Sequence, residues 1–212
     1  LPRVGRAYLL CLALTRLALH MPLNIPIVLT WLRIAMIPLL VGLYYLPESW
    51  MSVPVRDLTA SFAFIFAALT DWFDGWLARR WNQTSSFGAF LDPVADKLMV
   101  SAALLVLLNL DRVDVMIALV IIGREITISA LREWMAQMGA SASVAVHWLG
   151  KFKTAAQMIA IPCLLYYDTL FGIPFAQIGQ VLIVIAAILT VWSMLYYLRR
   201  AMPVIREKTS KN

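Results

Sequence analysis

Apolar residues in this chain come in long blocks rather than in alternation. Windows of about 20 residues, the length that crosses a bilayer as a helix, cover roughly 27–46, 56–80, 89–109, 113–136, 145–167 and 175–198. The breaks between them carry turn chemistry: Pro47 with Glu48, Asn82 to Ser86, Asp111 to Asp114, Gly139 to Ser143, and Asp168 to Pro174. The pattern predicts an all-α polytopic membrane protein with six transmembrane helices. No internal repeat is visible, and residues 21–212 read as one membrane domain. Residues 1–20 begin basic and then turn apolar, as a signal peptide does, but Arg16 interrupts the run and no small-residue cleavage site follows. They read as an upstream extension, with an interfacial amphipathic leader as the alternative.

Basic residues orient these spans. Arg79, Arg80, Arg132, Lys151, Lys153 and the tail from Arg199 to Lys211 gather at one set of helix ends, whereas the opposite loops offer Arg56 and Arg112. The positive-inside rule then puts both termini in the cytoplasm. Most tryptophans fall near the expected interfaces, where indole belts form.

Composition sharpens the class. The chain is 62% hydrophobic and 14% charged, with a mean hydropathy of +0.79, which excludes an ordinary soluble domain. A net charge of +6 would suit nucleic acid in a soluble protein, yet no basic run interleaved with aromatics occurs, so no nucleic-acid partner is expected. Cys11 and Cys163 lie far apart without a CxxC, which supports neither a disulfide framework nor a zinc site.

Candidate chemistry concentrates between Asp71 and Asp96. On a helix Asp71, Asp74, Gly75 and Ala78 fall at i, i+3, i+4 and i+7, so two acids and two minimal side chains share one stripe; Asp92 and Asp96 sit at i and i+4 behind Gly88. Each acid in a membrane-like setting costs about 2.5–3.5 kcal/mol on insertion scales, so the group implies a cation. With no His or Cys in the stretch, the donors are hard oxygens, which suit Mg²⁺ or Mn²⁺ rather than Zn²⁺. Gly75 and Ala78 leave room for a bulky ligand, and Arg79 lies within reach of a phosphate. An ion-pair network of the acids with Arg79, Arg80 and Lys97 is the structural alternative, but it would not need small residues at 75, 78 and 88.

Further polar residues interrupt other spans. Asn24, Thr30 and Arg33 occur in the first, with Thr30 a candidate nucleotide contact and Arg33 alternatively a snorkelling side chain. Arg124 and Glu125 sit deep in the fourth, with Arg132 two turns on, and Lys151 and Lys153 open the fifth. Arg124, Arg132, Lys151 and Lys153 together form a candidate cationic pocket for an acceptor phosphate. Anchoring at anionic headgroups is the alternative for the last three, and pairing with Glu125 for Arg124.

The spacing D-x2-D-G-x2-A-R-x8-G-x3-D-x3-D, met here by Asp71, Asp74, Gly75, Ala78, Arg79, Gly88, Asp92 and Asp96, resembles the signature of the CDP-alcohol phosphotransferases. That resemblance implies two divalent ions held by Asp71, Asp74, Asp92 and Asp96, with Asp96 also the catalytic base. It implies CDP-lipid binding at Thr30, Gly75, Ala78, Arg79, Ser85 and Gly88. The segments REITISALREWMA and GKFKTAAQ are similar to bacterial members that use CDP-diacylglycerol and glycerol 3-phosphate, and this similarity runs over nearly the whole chain after Met21. It implies phosphatidylglycerophosphate and CMP as products, the bacterial inner membrane as location with the site facing the cytosol, and a homodimer. Direct displacement fits a stretch without Cys or His. Members using serine, inositol phosphate or phosphatidylglycerol as acceptor would keep the same acids. A prenyltransferase would carry a second aspartate-rich motif, and a cation transporter would more often show repeat halves or interrupted helices.

Overall fold

The computed structural model describes residues 25–81, 86–137, 148–170 and 172–209; within the helices the side chains at 74–79 and 151, among others, are not described. The expected leader, 1–20, lies outside the described residues, as does Ser85. Six helices are described: α1 (Ile25–Leu43), α2 (Val53–Trp81), α3 (Ser86–Asn109), α4 (Val115–Gln137), α5 (Trp148–Tyr166) and α6 (Phe175–Thr209). Between α5 and α6 runs a two-residue hairpin, β1 (Thr169–Leu170) and β2 (Ile173–Pro174), paired antiparallel. Its turn holds Gly172 at φ +80°, a left-handed conformation that glycine adopts without steric cost.

Among the described residues, two helices, over Val53–Phe73 and Phe175–Arg199, are long and apolar enough to cross a membrane; Val28–Leu43 and Phe152–Tyr166 are shorter apolar helices. Large apolar side chains also point outward along the helices, Phe62 at 62% exposure, Leu119 at 61% and Ile188 at 61% among them. A girdle of that kind is unfavourable against water and ordinary against lipid tails.

Two boundaries differ from the hydrophobic windows for physical reasons. α6 continues to Thr209 although its apolar run stops at 198, because the segment that follows is rich in good helix formers, and solvation does not end a helix. Pro93 lies inside α3, which begins at Ser86. Without an N–H, Pro93 leaves a carbonyl one turn earlier without its helical donor, beside Asp92.

Helix ends are closed by identifiable caps. Asp114 caps α4, its carboxylate accepting from the Met116 N–H at 2.8 Å. α3 ends in a Schellman pattern, with Arg112 N–H to Leu107 O at 2.9 Å, Asp111 N–H to Leu108 O at 3.1 Å, and Asp111 at φ 55°. That reversal delivers Arg112 to the end of α5. There its Nη1 donates to the carbonyls of Leu164 (3.1 Å) and Leu165 (2.7 Å), orphan acceptors of a helix terminus. Nη2 pairs with Asp57 at the start of α2, and the guanidinium lies over the Tyr167 ring. One arginine thus ties three elements at the end remote from Asp71 and Asp92.

The core between is apolar, with Leu40, Phe64, Leu104, Leu107, Ile121, Ile161 and Leu164 essentially inaccessible. α5 packs along α6, and a Cβ at Gly179 would meet the Leu164 Cγ at 2.7 Å. The missing side chain is what allows that approach. Cys163, in the same contact, is a free buried thiol.

Candidate active site

α1 supplies the device that gathers the acids. Thr30 and Arg33, at i and i+3, share a face and are each 1% exposed. Thr30 Oγ1 donates to Asp92 Oδ1 at 2.6 Å, while Arg33 Nη1 pairs with Asp71 Oδ1 at 2.7 Å. One turn of α1 thereby fixes a carboxylate from α2 and another from α3. Arg33 does not snorkel. Its guanidinium is sunk beside Asp71, because a charge inside apolar packing is tolerated when a counter-charge meets it there.

Asp71 lies within electrostatic reach of both Asp92 and Asp96. Asp96, four residues along α3 from Asp92, faces inward from the same side. It borders a narrow space shared with Arg33, Phe64, Ala67 and Met158, and a second pocket shared with Lys97, Glu125, Lys153, Thr154 and Gln157. Gly88 is buried on α3. The side chains of Asp74, Gly75, Ala78 and Arg79 are outside the described residues, although their backbone continues α2.

The basic residues converge as well. Glu125 Oε1 pairs with Lys153 of α5 and with Arg124 Nη1 at 3.2 Å. Arg124 is buried, donates through Nη2 to Ser193 Oγ at 3.2 Å, and lies over the Tyr197 ring. Its Nε–H has no partner among the described residues. Arg132, exposed, reaches the same tyrosine, with Nη2 3.4 Å from its hydroxyl oxygen. Arg124, Arg132 and Lys153 are therefore brought together around Glu125 and Tyr197; the Lys151 side chain is not described.

Sequence reasoning did not assign a site role to Arg33, Glu125, Gln157, Ser193 or Tyr197. The available signal was their polarity inside apolar helices: Ser193 and Tyr197 stand at i and i+4 on α6, and Arg33 one turn after Thr30. Among the described residues no cluster of three metal-ligating side chains occurs. The donor chemistry nevertheless fits a hard divalent cation, with oxygen donors from Asp71 and Asp92 held by α1, and Asp96 in reach of them.

Comparison with known proteins adds a family. A family model described as CDP-alcohol phosphatidyltransferase matches residues 23–192. Proteins named CDP-diacylglycerol–glycerol-3-phosphate 3-phosphatidyltransferase from Salmonella choleraesuis and from Shigella flexneri serotype 5b are each 48% identical over 183 residues, and the Pectobacterium atrosepticum protein of that name is 50% identical. In each case the match covers 85% of this chain and 96% of the relative.

Proposed function

This chain belongs to the CDP-alcohol phosphatidyltransferase family, and from that premise we propose that it transfers the phosphatidyl group of CDP-diacylglycerol to glycerol 3-phosphate, forming phosphatidylglycerophosphate and CMP. The observation that carries the reading is that Asp96 shares one pocket with the Lys153–Glu125 pair, to which Arg124 is tied, beside acids gathered by Thr30 and Arg33. Such a layout suits a reaction between a diphosphate donor and a phosphorylated acceptor.

The chain's residues divide the work. Thr30 and Arg33 set the positions of Asp92 and Asp71 before substrate arrives, which is electrostatic preorganisation. Asp71, Asp74, Asp92 and Asp96 would hold Mg²⁺ or Mn²⁺, two ions in this reading, which when bound would neutralise the diphosphate and the departing CMP. Thr30, Gly75, Ala78, Arg79, Ser85 and Gly88 would line the CDP-lipid. The acceptor hydroxyl oxygen forms a bond to the lipid-bearing phosphorus while the bond from that phosphorus to the CMP oxygen breaks, and Asp96 accepts the hydroxyl proton. Arg124, Arg132, Lys151 and Lys153 orient the acceptor by its phosphate.

The outward apolar side chains support placement in a bilayer. The site end carries Arg80, Arg132, Lys153 and Arg199, which favours a cytosolic active site, cytoplasmic termini and six spans in the bacterial inner membrane. Residues 21–212 then form the membrane domain, assembled as a homodimer on family resemblance.

The test is CMP release by purified protein given CDP-diacylglycerol, Mg²⁺ and a panel of acceptors. Glycerol 3-phosphate should be used well and serine, inositol phosphate and phosphatidylglycerol poorly; a preference for any of those three refutes the assignment. A smaller effect isolates the α1 device. Thr30→Val keeps shape but removes a hydrogen bond to a carboxylate, a contribution of about 1.5 kcal/mol, so kcat should fall by about tenfold. An unchanged kcat would show that Asp92 needs no fixing from α1.

A further inference from the structure

The pocket beside Asp96 contains a polar side chain that the reaction as described leaves unused. Gln157 is 4% exposed and lines this cavity of about 100 Å³ with Lys153 and Thr154 from the same helix face, Asp96 and Lys97 from α3, and Glu125 from α4. Gln157 stands one turn beyond Lys153 on α5, so both side chains face the same cavity. A carboxamide in the wall of a cavity offers its occupant two donors and one acceptor. Its neighbours are already engaged: Thr154 donates to the Gly150 carbonyl at 2.9 Å, and Lys153 is held by Glu125. Both ion pairs of Glu125 fall on Oε1.

We infer that Gln157 is the specificity-determining residue for the acceptor's carbon chain, its carboxamide hydrogen-bonding the middle hydroxyl of glycerol 3-phosphate. This rests on the functional reading above. With the acceptor phosphate at the Lys153 side of this cavity and its terminal hydroxyl at Asp96, the intervening carbons pass the wall that Gln157 forms. In glycerol 3-phosphate the one polar group on that stretch is the hydroxyl of the middle carbon. The cavity is far below the roughly 300 Å³ at which sites for drug-sized ligands begin, which suits a three-carbon acceptor. A site built to hydrogen-bond a hydroxyl discriminates strongly against the analogue lacking it, because its own polar group is then left unpaired.

The experiment compares glycerol 3-phosphate with 3-hydroxypropyl phosphate, the same acceptor without its middle hydroxyl, on the wild-type enzyme and on Gln157→Met. On the wild type, kcat/KM for the deoxy acceptor should be lower by about 30-fold, as for a buried polar group left without its partner. In Gln157→Met the ratio between the two acceptors should collapse at least tenfold toward unity. Equal use of both acceptors by the wild type overturns the inference without reference to any variant, so a poorly folding Gln157→Met cannot shelter it. A ratio preserved in a folded Gln157→Met overturns it too. Failure of the wild type to use glycerol 3-phosphate at all refutes the functional reading itself, and is thereby distinguishable.

Discussion

Asp96→Asn should reduce CMP release by about a thousandfold, within the range of loss for removal of a positioned general base, while leaving CDP-diacylglycerol binding within a few-fold of the wild type. Asparagine matches the carboxylate in shape and still offers one oxygen, so the pocket walls from Lys97, Glu125 and Gln157 keep their places. What it cannot do is accept the acceptor's proton. Arg33 and Thr30 keep their contacts to Asp71 and Asp92, and the gathered acids should survive the change. Equilibrium binding of the CDP-lipid and single-turnover CMP release, measured on one preparation, separate the two effects. Turnover within tenfold of the wild type would remove Asp96 from the role of base. Equal loss of binding and turnover would make it a binding residue alone.

The legibility of this site in the sequence was uneven, and the unevenness has a physical origin. Acids at fixed helical spacing between 71 and 96 can be read directly, because helix geometry converts spacing into a shared face. The number and approximate limits of the described helices could also be read, because long apolar blocks alternate with turn residues. The partners across helices could not be read. Arg33 is as compatible with snorkelling as with burial until α2 brings Asp71 against it. Likewise, Ser193 and Tyr197 acquire meaning only when α6 packs on α4. The helices carry large apolar side chains on their outward faces as well as inside, so the periodicity that marks the core face of a soluble helix is weak here. In this chain a buried charge is the better guide: Arg33, Asp57, Arg124 and Lys153 are each almost fully enclosed, and each marks a point where helices are tied.

Arg124→Met should raise KM for glycerol 3-phosphate by about 30-fold, with KM for CDP-diacylglycerol unchanged. A hydrogen bond to a charged group contributes about 2 kcal/mol, and at 1.36 kcal/mol per factor of ten that gives the stated shift. Arg124 is the best placed of the basic residues for this role. Glu125 takes Nη1 and Ser193 takes Nη2, which lock the plane of the guanidinium, while Nε–H is buried and has no partner among the described residues. An incoming phosphate oxygen would satisfy that donor at no further cost of orientation. Removing the arginine need not unfold the cluster, since Glu125 keeps Lys153 as its counter-ion. Initial rates over a matrix of both substrates read the two KM values separately. A rise confined to the acceptor places its phosphate at Arg124. An equal rise in both would assign Arg124 to the diphosphate side, and no rise in either would leave it a structural tie between α4 and α6.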